Sequence, residues 1–527
     1  MTSKRVAVVG AGVAGLVAGR ALAKAGAAVT VFEAAPYVGG RCHRGNAFEL
    51  VVGDRRWSFD LEHGIHGIWR QYRNLRRVLA EEGALGRLVH ANAQEMVMPH
   101  PAGGVRAYEF GARVRHAPGP DLLAFLSIFA SGDIARLAMA EGPRPWLRAA
   151  SDLLHAFAFD ARHDIELYDD VSVADYIEGW PTLVQRMSGA ITHSAFFREA
   201  RDVGLSAYLT GLQSYFVSDK RDTAFDFCAT DVEVDLLAPL REAIARAGGA
   251  IHCGHAVRSI RSSPGRCATA VTGIRSDGTA FELEVDGLVM AVDPPALRRL
   301  RDEGGLGPAL AAGVQIPEGV PSTVVRLFFD RDIAAERAPT GVFHGLAADN
   351  FFWLHRLQRH YVAWHAETGG AVLECHLYGD RAVAATTAGD DTVRAGVVAV
   401  VDAAWPELRG RCIGAHIQRN APTHVAFGPG TMARVPGVRS QWPNLTFCGD
   451  WIAVDSPVLY LERATTTGLL AAAAVGTAVD LRADAFAEPL PAHPPAPDIA
   501  ALRWLARRAR AEGLLPRPGR SRRSGSP

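Results

Sequence analysis

The stretch Arg5–Glu33, RVAVVGAGVAGLVAGRALAKAGAAVTVFE, joins a short apolar run, a glycine-rich turn, an Ala/Leu-rich segment and a second apolar run. This order predicts a strand, a helix and a parallel strand with the phosphate-binding sequence GxGxxG in the first turn. In such a turn Gly10 allows the tight bend, Gly12 lets the backbone approach a pyrophosphate, and Gly15 lets helix and strand pack closely. The stretch therefore predicts a dinucleotide-binding α/β domain.

Residues near this turn complete the predicted nucleotide site. Val13 and Ala14 begin the helix, whose N–H groups and positive dipole end would face the phosphates. Glu33 ends the second strand, where a carboxylate can accept hydrogen bonds from ribose hydroxyls. No arginine follows Glu33 directly, which disfavours NADP. Gly40 and Arg41 offer glycine backbone and a guanidinium to the pyrophosphate, a combination that favours FAD over NAD.

Later segments are predicted to complete the FAD site. A helix, strand and hairpin pattern in the middle of the chain carries Val257, which would lie against the adenine through its backbone. Gly449 and Asp450 follow a short apolar strand, so that Asp450 can accept a hydrogen bond from a ribityl hydroxyl. Leu461 and Glu462 open a small-residue helix, whose N-terminus would point at the edge of the flavin that becomes negative on reduction.

We divide the chain into two domains and a tail. The FAD-binding domain is discontinuous and comprises residues 1–75, 228–298 and 436–480. The substrate-binding domain comprises residues 76–227 and 299–435. The tail, residues 481–527, is rich in Pro and Arg and contains a linker-like segment, Pro489–Pro497, and a short helix, Ile499–Ala511. This is an α/β fold in which a glutathione-reductase-like Rossmann domain carries an inserted α+β domain.

Composition disfavours several classes of protein. Lys+Arg and Asp+Glu both number 56, and zero net charge argues against nucleic-acid binding. The seven cysteines form no CxxC pair, so neither a disulfide framework nor a zinc site is expected. The four histidines within His355–His376 lack a metal-ligand spacing, and we predict no metal site. Apolar runs are shorter than the ~20 residues of a membrane-spanning helix, and reduced thiols favour the cytoplasm.

Three further runs carry a family pattern. They are His63–Arg76 (HGIHGIWRQYRNLR), Asn350–Gly370 and Gly449–Gly468. With these runs the chain resembles the FAD-dependent carotenoid desaturases within the amine-oxidase-like flavoproteins. Among them it is most similar to the carotene desaturase/methyltransferases of the isorenieratene-synthase type. The likeness extends to about residue 480.

The resemblance implies that the protein dehydrogenates a lipophilic carotenoid and aromatises a β-type end ring with a 1,2-methyl shift. Two alternatives stay open: desaturation of an acyclic carotenoid and oxidation of an amine by a soluble oxidase. A non-catalytic escort protein with an FAD fold is disfavoured, because a pure scaffold has no need of the cofactor residues of this chain: Gly12, Glu33, Arg41 and Asp450. Gly64 is expected beside FAD. Glu62 and His66 are candidates for positioning the substrate or removing a proton, and His66 could instead only pack beside the isoalloxazine.

A polyene substrate predicts two kinds of apolar surface. Aromatic side chains could line a tunnel, or they could form ordinary core: Phe351, Phe352, Trp353, Tyr361 and Trp364. Two segments could bind the inner face of the cell membrane: Leu122–Ala130 and the helix around Leu502, Trp504 and Leu505. Arginines of that helix would attract an anionic lipid surface: Arg503, Arg507, Arg508 and Arg510. The alternative is a solvated tail with no membrane role.

Overall fold

The structure, a computed structural model, describes residues 3–100, 102–130, 135–136, 140–264 and 266–515. The end of the predicted tail, from residue 516 onward, lies outside the described residues.

The strands of the described chain are numbered from the N-terminus. They are β1 Arg5–Val9, β2 Ala28–Phe32, β3 Arg44–Val52, β4 Arg55–Glu62, β5 Ile68–Trp69, β6 Leu88–Ala91, β7 Gln94–Pro99, β8 Val105–Glu109, β9 Phe225–Cys228, β10 Ala250–His252, β11 His255–Ser262, β12 Ala268–Arg275, β13 Ala280–Glu284, β14 Gly287–Met290, β15 Gly319–Phe329, β16 Thr340–Phe343, β17 Asn350–Trp353, β18 Ala371–Leu377, β19 Cys412–Val425 and β20 Leu445–Phe447.

The α-helices follow the same order. They are α1 Val13–Lys24, α2 Arg73–Glu81, α3 Gly111–His116, α4 Asp121–Leu126, α5 Pro143–Ala158, α6 Ile165–Tyr168, α7 Val173–Ile177, α8 Thr182–Phe196, α9 Leu205–Gly211, α10 Ala238–Arg246, α11 Pro294–Asp302, α12 Arg359–Thr368, α13 Gly379–Thr387, α14 Asp390–Ala404, α15 Tyr460–Ala478 and α16 Pro497–Ala511.

A parallel sheet with the strand order β10-β2-β1-β14-β20 forms the first layer of the fold. Its strands are short apolar runs, as expected for parallel strands that are covered on both faces. Helix α1 packs against α15, and a Cβ on Gly468 would lie 2.6 Å from the Ala14 carbonyl oxygen, so only glycine allows this close approach. The strand–helix–strand prediction for Arg5–Glu33 is confirmed, and with it the α/β fold class.

A second, largely antiparallel sheet has the order β19-β15-β18-β17-β16-β7-β8, in which only the β16–β7 pair is parallel. One face packs against α14, around Trp405, Val397 and Val401, which are fully buried or nearly so. All strands of this sheet come from segments that the sequence assigns to the substrate-binding domain. The domain boundaries themselves stay a prediction.

The C-terminal segment follows the protein surface instead of hanging free. The Leu490 N–H donates to the Asn74 side chain over 2.7 Å, and Arg73 donates to the Pro491 carbonyl over 2.8 Å. The segment thus binds across α2 before α16 packs against α5 and α4. Within the described ranges, no helix combines the length and apolar character needed to cross a membrane.

Candidate active site

The turn between β1 and α1 is closed around two of its glycines and open at the third. A Cβ on Gly10 would lie 2.4 Å from the Ala291 carbonyl oxygen, and one on Gly15 would lie 2.0 Å from the Gly10 oxygen. At Gly12, which caps the N-terminus of α1, a Cβ would meet no described atom within 4 Å beyond its chain neighbours. The open space lies where the sequence predicts the pyrophosphate.

A cavity of about 990 Å³, which we call the cofactor cleft, starts at this turn and runs between the two sheets. Most residues predicted to bind FAD line it: Gly10, Gly12, Val13, Ala14, Glu33, Gly40, Arg41, Val257, Gly449, Asp450 and Leu461. The cleft joins backbone N–H groups at a helix N-terminus to polar side chains along its length, which suits a dinucleotide. These residues fit FAD, and they are the ones that would hold it.

Glu33 organises the nucleotide end of the cofactor cleft. Its carboxylate accepts the Ala11 N–H over 2.8 Å and the Ala35 N–H over 2.9 Å. These bonds fix the carboxylate at the carboxyl end of β2 while leaving acceptor positions for ribose hydroxyls.

Arg41 and Asp450, predicted to bind the pyrophosphate and the ribityl chain, form an ion pair in this structure. The Nη2–Oδ2 distance is 2.6 Å, and both residues line the cofactor cleft. Burial alone would lower the pKa of the Arg41 guanidinium, but the nearby Asp450 carboxylate has the larger opposite effect, so the pKa is raised. Both groups therefore reach the phosphate and ribityl region as a charge-balanced pair.

A second cavity, of about 710 Å³, is lined by residues of the antiparallel sheet and of helices near it. We call it the apolar cavity. Its walls carry mainly apolar side chains: Met96, Met98, Phe110, Phe125, Ile128, Leu183, Met187, Ile191, Leu212, Phe216, Phe225, Phe227 and Phe352. Such a cavity suits a long hydrocarbon and excludes water.

The two cavities meet at a junction formed by side chains that line both of them. These are His63, His66, Phe197, His424, Tyr460 and Leu461. A group held at this end of the apolar cavity therefore contacts the same side chains that line the cofactor cleft.

His66 lies at the junction as an uncharged side chain. Burial, then His376 and Arg41, lower its pKa to about 4, and its Nδ1 is buried without a hydrogen-bond partner. Gly64, predicted to contact FAD, lines only the apolar cavity, where a Cβ would lie 3.3 Å from the His376 ring. The structure thus places Gly64 beside His376, and its contact with FAD stays a prediction.

Glu62, a catalytic candidate from the sequence, lines neither cavity. Its Oε1 accepts the Val232 N–H over 3.0 Å and the Gln358 Nε2–H over 2.8 Å. Burial, reinforced by the nearby Glu374, raises the pKa of Glu62 to about 8. This carboxyl group supports the scaffold behind the junction, and the catalytic assignment is corrected.

Glu462 also has a different position from the one predicted. Its carboxylate accepts the backbone N–H of Asn74 over 2.8 Å and that of Leu75 over 3.0 Å, together with the Asn74 side chain. It lines neither cavity, because these bonds turn it toward the N-terminus of α2. Its neighbour Leu461 is the one that faces the cofactor cleft.

The aromatic run predicted to line a tunnel is mostly core. Phe352 lines the apolar cavity, whereas Phe351, Trp353, Tyr361 and Trp364 are fully buried or nearly so among other side chains. Successive residues of a strand point to opposite faces, so β17 directs Phe352 to the cavity and its two neighbours away from it. Of the two alternatives, ordinary core therefore applies to four of the five residues and the cavity wall to Phe352.

Two of the four histidines within His355–His376, for which the sequence predicts no metal site, lie close together around one carboxylate. His355 Nε2 lies 2.8 Å from Asp332 Oδ1, and His365 Nε2 lies 3.9 Å from Asp332 Oδ2. All three ligand-type atoms lie within 4.8 Å of one another. Arg356 also pairs with Asp332, at 3.6 Å. His360 and His376 belong to other surroundings.

Sequence reasoning missed a set of polar groups on β18. Glu374 and His376 occupy alternate positions of the strand, and Tyr378 follows at the same spacing. His376 and Tyr378 line the apolar cavity. The alternation of Glu, His and Tyr within AVLECHLY was visible in the sequence, since residues i, i+2 and i+4 share one face of a strand. The run was classified only as an apolar strand.

Comparison with known proteins gives the relatives. A family model described as flavin containing amine oxidoreductase matches residues 13–476. The carotenoid phi-ring synthase of Streptomyces griseus is 29% identical over 484 residues, 89% of this chain and 87% of that protein. The phi-ring synthase of Chlorobaculum tepidum is 30% identical over 224 residues, 41% of this chain and 33% of that protein. A probable zeta-carotene desaturase of Synechococcus elongatus is 27% identical over 333 residues, 62% of this chain and 66% of that protein.

Solved structures share the fold at low identity. Cyclohexylamine oxidase from Brevibacterium oxydans has a TM-score of 0.63 and 16% identity, covering 90% of this chain and 99% of that one. Putrescine oxidase bound to putrescine has a TM-score of 0.61 and 16% identity, covering 91% and 99%. Because the family model spans most of the chain and the cofactor cleft fits FAD, the chain belongs to the flavin-containing amine oxidoreductases and is an FAD-dependent oxidoreductase.

Proposed function

We propose that the protein dehydrogenates a carotenoid and aromatises a β-type end ring with a 1,2-methyl shift. The observation that carries the proposal is the apolar cavity of about 710 Å³, which shares the junction side chains with the cofactor cleft. The near full-length likeness to a carotenoid phi-ring synthase, 29% over 484 residues, supports the choice of ring chemistry.

The reaction must remove four hydrogens from each ring and move one methyl group. FAD, when bound, accepts a hydride from the substrate. A first loss of hydride and proton adds a second double bond to the ring. Loss of a second hydride from the other ring carbon next to the quaternary carbon leaves an allylic cation there, one methyl group migrates to it with its electron pair, and proton loss from that carbon completes the aromatic ring. An external electron acceptor must reoxidise the flavin between the two hydride losses. The methyl group stays within the substrate, so no methyl donor is needed.

The protein's own contribution is to hold the ring at the junction, keep water out and accept protons. Around the junction the apolar cavity presents uncharged groups: burial, then neighbouring charges, lower the pKa of His66 to about 4 and that of His63 to about 2. Burial likewise lowers the pKa of His424. An alkylammonium substrate favours a facing carboxylate, whereas these neutral rings suit a hydrocarbon and a transient carbocation. This observation favours a carotenoid over an amine.

Expression in cells that accumulate β-carotene tests the proposal. We expect pigments that have lost four hydrogens per modified ring at unchanged carbon number, measured by mass spectrometry. Unchanged β-carotene with newly desaturated zeta-carotene in a parallel strain would select the acyclic alternative. Peroxide release from an amine, with every carotene unchanged, would contradict both.

We also propose that the protein takes its substrate from a membrane surface on the cytoplasmic side. Large apolar side chains are exposed on neighbouring helices: Leu123 is 59% and Leu126 52% exposed on α4, and Trp504 is 59% exposed on α16. Phe125 of the same α4 lines the apolar cavity, so the exposed patch adjoins the route into it. Burying each leucine in lipid would contribute about 1.5–3 kcal/mol.

The arginines of α16, predicted to attract an anionic lipid surface, are engaged in other contacts. Arg503 is buried and donates to the Gln213 and Val217 carbonyl groups over 2.6 and 2.8 Å. Arg507 and Arg510 pair with Asp160 and Asp164, at 3.4 and 2.7 Å, and exposed Arg508 pairs with Glu512 at 2.9 Å. Arg503, Arg507 and Arg510 fix α16 to the protein, and Arg508 pairs with the C-cap residue of its own helix, so the proposal rests on the apolar side chains.

Vesicle flotation tests whether the exposed leucines of α4 bind a membrane. The double variant Leu123→Glu/Leu126→Glu should lose binding to neutral and anionic vesicles alike. Val383→Glu, on α13 and 57% exposed in the wild type, is the control and should float as the wild type does. A wild-type protein that fails to float at low salt would refute membrane binding.

A further inference from the structure

We propose that Tyr378, His376 and Glu374 form a proton relay that accepts the proton released with each hydride. The inference rests on the proposed dehydrogenation, which yields one proton for every hydride, whichever carotenoid is the substrate.

The three groups form a continuous chain of hydrogen bonds. The Tyr378 hydroxyl lies 2.7 Å from His376 Nδ1, and His376 Nε2 lies 2.7 Å from Glu374 Oε1. All three side chains are buried. A hydroxyl, an imidazole and a carboxylate in this order form the arrangement that enzymes use to move a proton away from a reacting group.

The surroundings of Glu374 fix the direction of the chain. Its Oε2 lies 2.7 Å from Arg326 Nε, and its Oε1 also accepts the Ile65 N–H over 2.7 Å. Burial alone would raise the pKa of Glu374, but Arg326 and these hydrogen bonds lower it to about 2. An ionised carboxylate can only accept, so His376 Nε2 carries a proton, and the neutral form of the imidazole then has its lone pair on Nδ1, facing the tyrosine hydroxyl.

The relay ends at the place where the chemistry must occur. His376 and Tyr378 line the apolar cavity, and the Tyr378 ring packs against Phe197, a junction residue, with centroids 4.8 Å apart. The other cavity histidines have weaker support: His424 Nε2 pairs with the Ser322 hydroxyl at 3.1 Å, and His66 Nδ1 has no partner. His376 is backed by an ionised carboxylate, which stabilises the imidazolium once a proton arrives.

The proton step conserves atoms and electrons. A C–H bond next to the cationic carbon breaks, and its electron pair forms the new C=C bond. The released proton goes to the Tyr378 oxygen while the phenolic proton passes to His376 Nδ1, which gives an imidazolium paired with Glu374. The hydride has gone to FAD. Transfer of the proton from the relay to water restores it before the second dehydrogenation.

The test uses purified FAD-loaded protein with β-carotene, and separately zeta-carotene, in phosphatidylcholine vesicles. We expect Tyr378→Phe and His376→Gln to keep bound FAD but convert carotenoid at least about 100-fold more slowly, the usual loss when a general base is removed. His376→Gly should regain activity when imidazole is added. His355→Gln breaks another buried histidine–carboxylate pair away from both cavities, and it should convert as the wild type does.

The outcomes separate the relay from the proposed function. Conversion by either single variant within threefold of the wild type, with FAD bound, would overturn the relay, as would a His376→Gly protein that imidazole leaves inactive. The two variants are independent, so loss of FAD by one leaves the other as the test. If the wild type acts on zeta-carotene only, the ring chemistry is wrong and the relay is judged on that substrate. A wild type that oxidises neither carotenoid overturns both.

Discussion

Gly12 shows what a single missing side chain does in this protein. Its two partner glycines are required by the protein itself, because a Cβ at Gly10 or Gly15 would collide with backbone atoms at 2.4 and 2.0 Å. At Gly12 a Cβ would collide with nothing in the described chain. We therefore infer that Gly12 serves the pyrophosphate rather than the fold.

We expect Gly12→Val to fold as the wild type does and to purify without FAD, because the added side chain occupies the space of the pyrophosphate. Flavin absorbance per chain and circular dichroism measure the two properties. Gly86→Val is the matched control, since a Cβ there also meets no described atom within 4 Å and Gly86 lies outside the cofactor cleft. Retention of flavin by Gly12→Val would remove this residue from the site.

Residues that act through their backbone were predictable, and several that act through long side chains were not. Gly12 and Gly449 depend on a local turn that the sequence pattern specifies. The direction of Glu62 and Glu462 depends on elements far along the chain, on Val232 and on Asn74 respectively. Local pattern carries no information about such partners, so both were assigned to the wrong surroundings.

At the scale of elements, Glu462 joins two helices. It belongs to the first turn of α15, and its carboxylate accepts the backbone N–H groups of Asn74 and Leu75 at the N-terminus of α2. The first N–H groups of a helix have no partner within it, and a carboxylate there also interacts favourably with the helix dipole. The C-terminal segment then binds the same α2 through the Asn74 side chain.

Glu462→Ala should lower the free energy of unfolding by about 3 kcal/mol, because buried donors on α2 lose their acceptor. FAD content of the folded protein should not change, since Glu462 lines neither cavity. Urea unfolding measures the first effect and flavin absorbance the second. Glu367→Ala, which removes an exposed pair with Arg55, is the control and should cost less than about 1 kcal/mol. Equal losses in both variants would argue against the anchoring role.

At the same scale, element type was easier to predict than element contacts. The strand, helix and strand predicted within Arg5–Glu33 are β1, α1 and β2. The stretch Phe281–Ala291 contains two strands, β13 and β14, because the Asp286 N–H donates to the Arg5 carbonyl and starts a new strand of the parallel sheet. The spacing of apolar residues predicts whether a segment is a helix or a strand. Hydrogen bonds to other strands determine the residue at which it ends.

At the scale of the whole molecule, uncharged histidines cluster at the junction of the two cavities. Burial, then neighbouring charges, lower the pKa of His66 to about 4 and that of His63 to about 2, against a value near 6.5 in an unfolded chain. The unfolded state therefore binds more protons than the folded state at mildly acidic pH. The stability contributed by these neutral side chains is fully present above about pH 6.5.

We expect the protein to lose stability as pH falls from about 6.5 through 4, by roughly 1 kcal/mol per pH unit for each histidine that stays neutral when folded. Thermal unfolding across this range measures the slope. His66→Asn should flatten it, because asparagine has no proton to gain. A wild-type slope near zero between pH 6.5 and 5 would show that these histidines are not held neutral.

The overall architecture could be inferred from separate motifs, but the apolar cavity could not. The parallel sheet follows from short patterns near residues 5–33, 250–291 and 445–450 that each have a local signature. The cavity is formed by side chains from α4, α8, β7 and β9, whose sequences show only ordinary apolar spacing. Packing between segments far apart in the sequence forms these walls, so short sequence patterns cannot predict them.

Among the described residues, the two cavities share only the side chains of the junction, which bears on how substrate and cofactor enter and leave the protein. Phe125 of α4 lines the apolar cavity, whereas the cofactor cleft extends past Arg299 and Arg419 on different elements. Under the proposed entry at α4, the substrate enters and leaves by its own path while FAD stays resident, so turnover requires no exchange of the cofactor. Substrate arrival and cofactor retention can then be tuned by separate mutations, and each can change during evolution without disturbing the other.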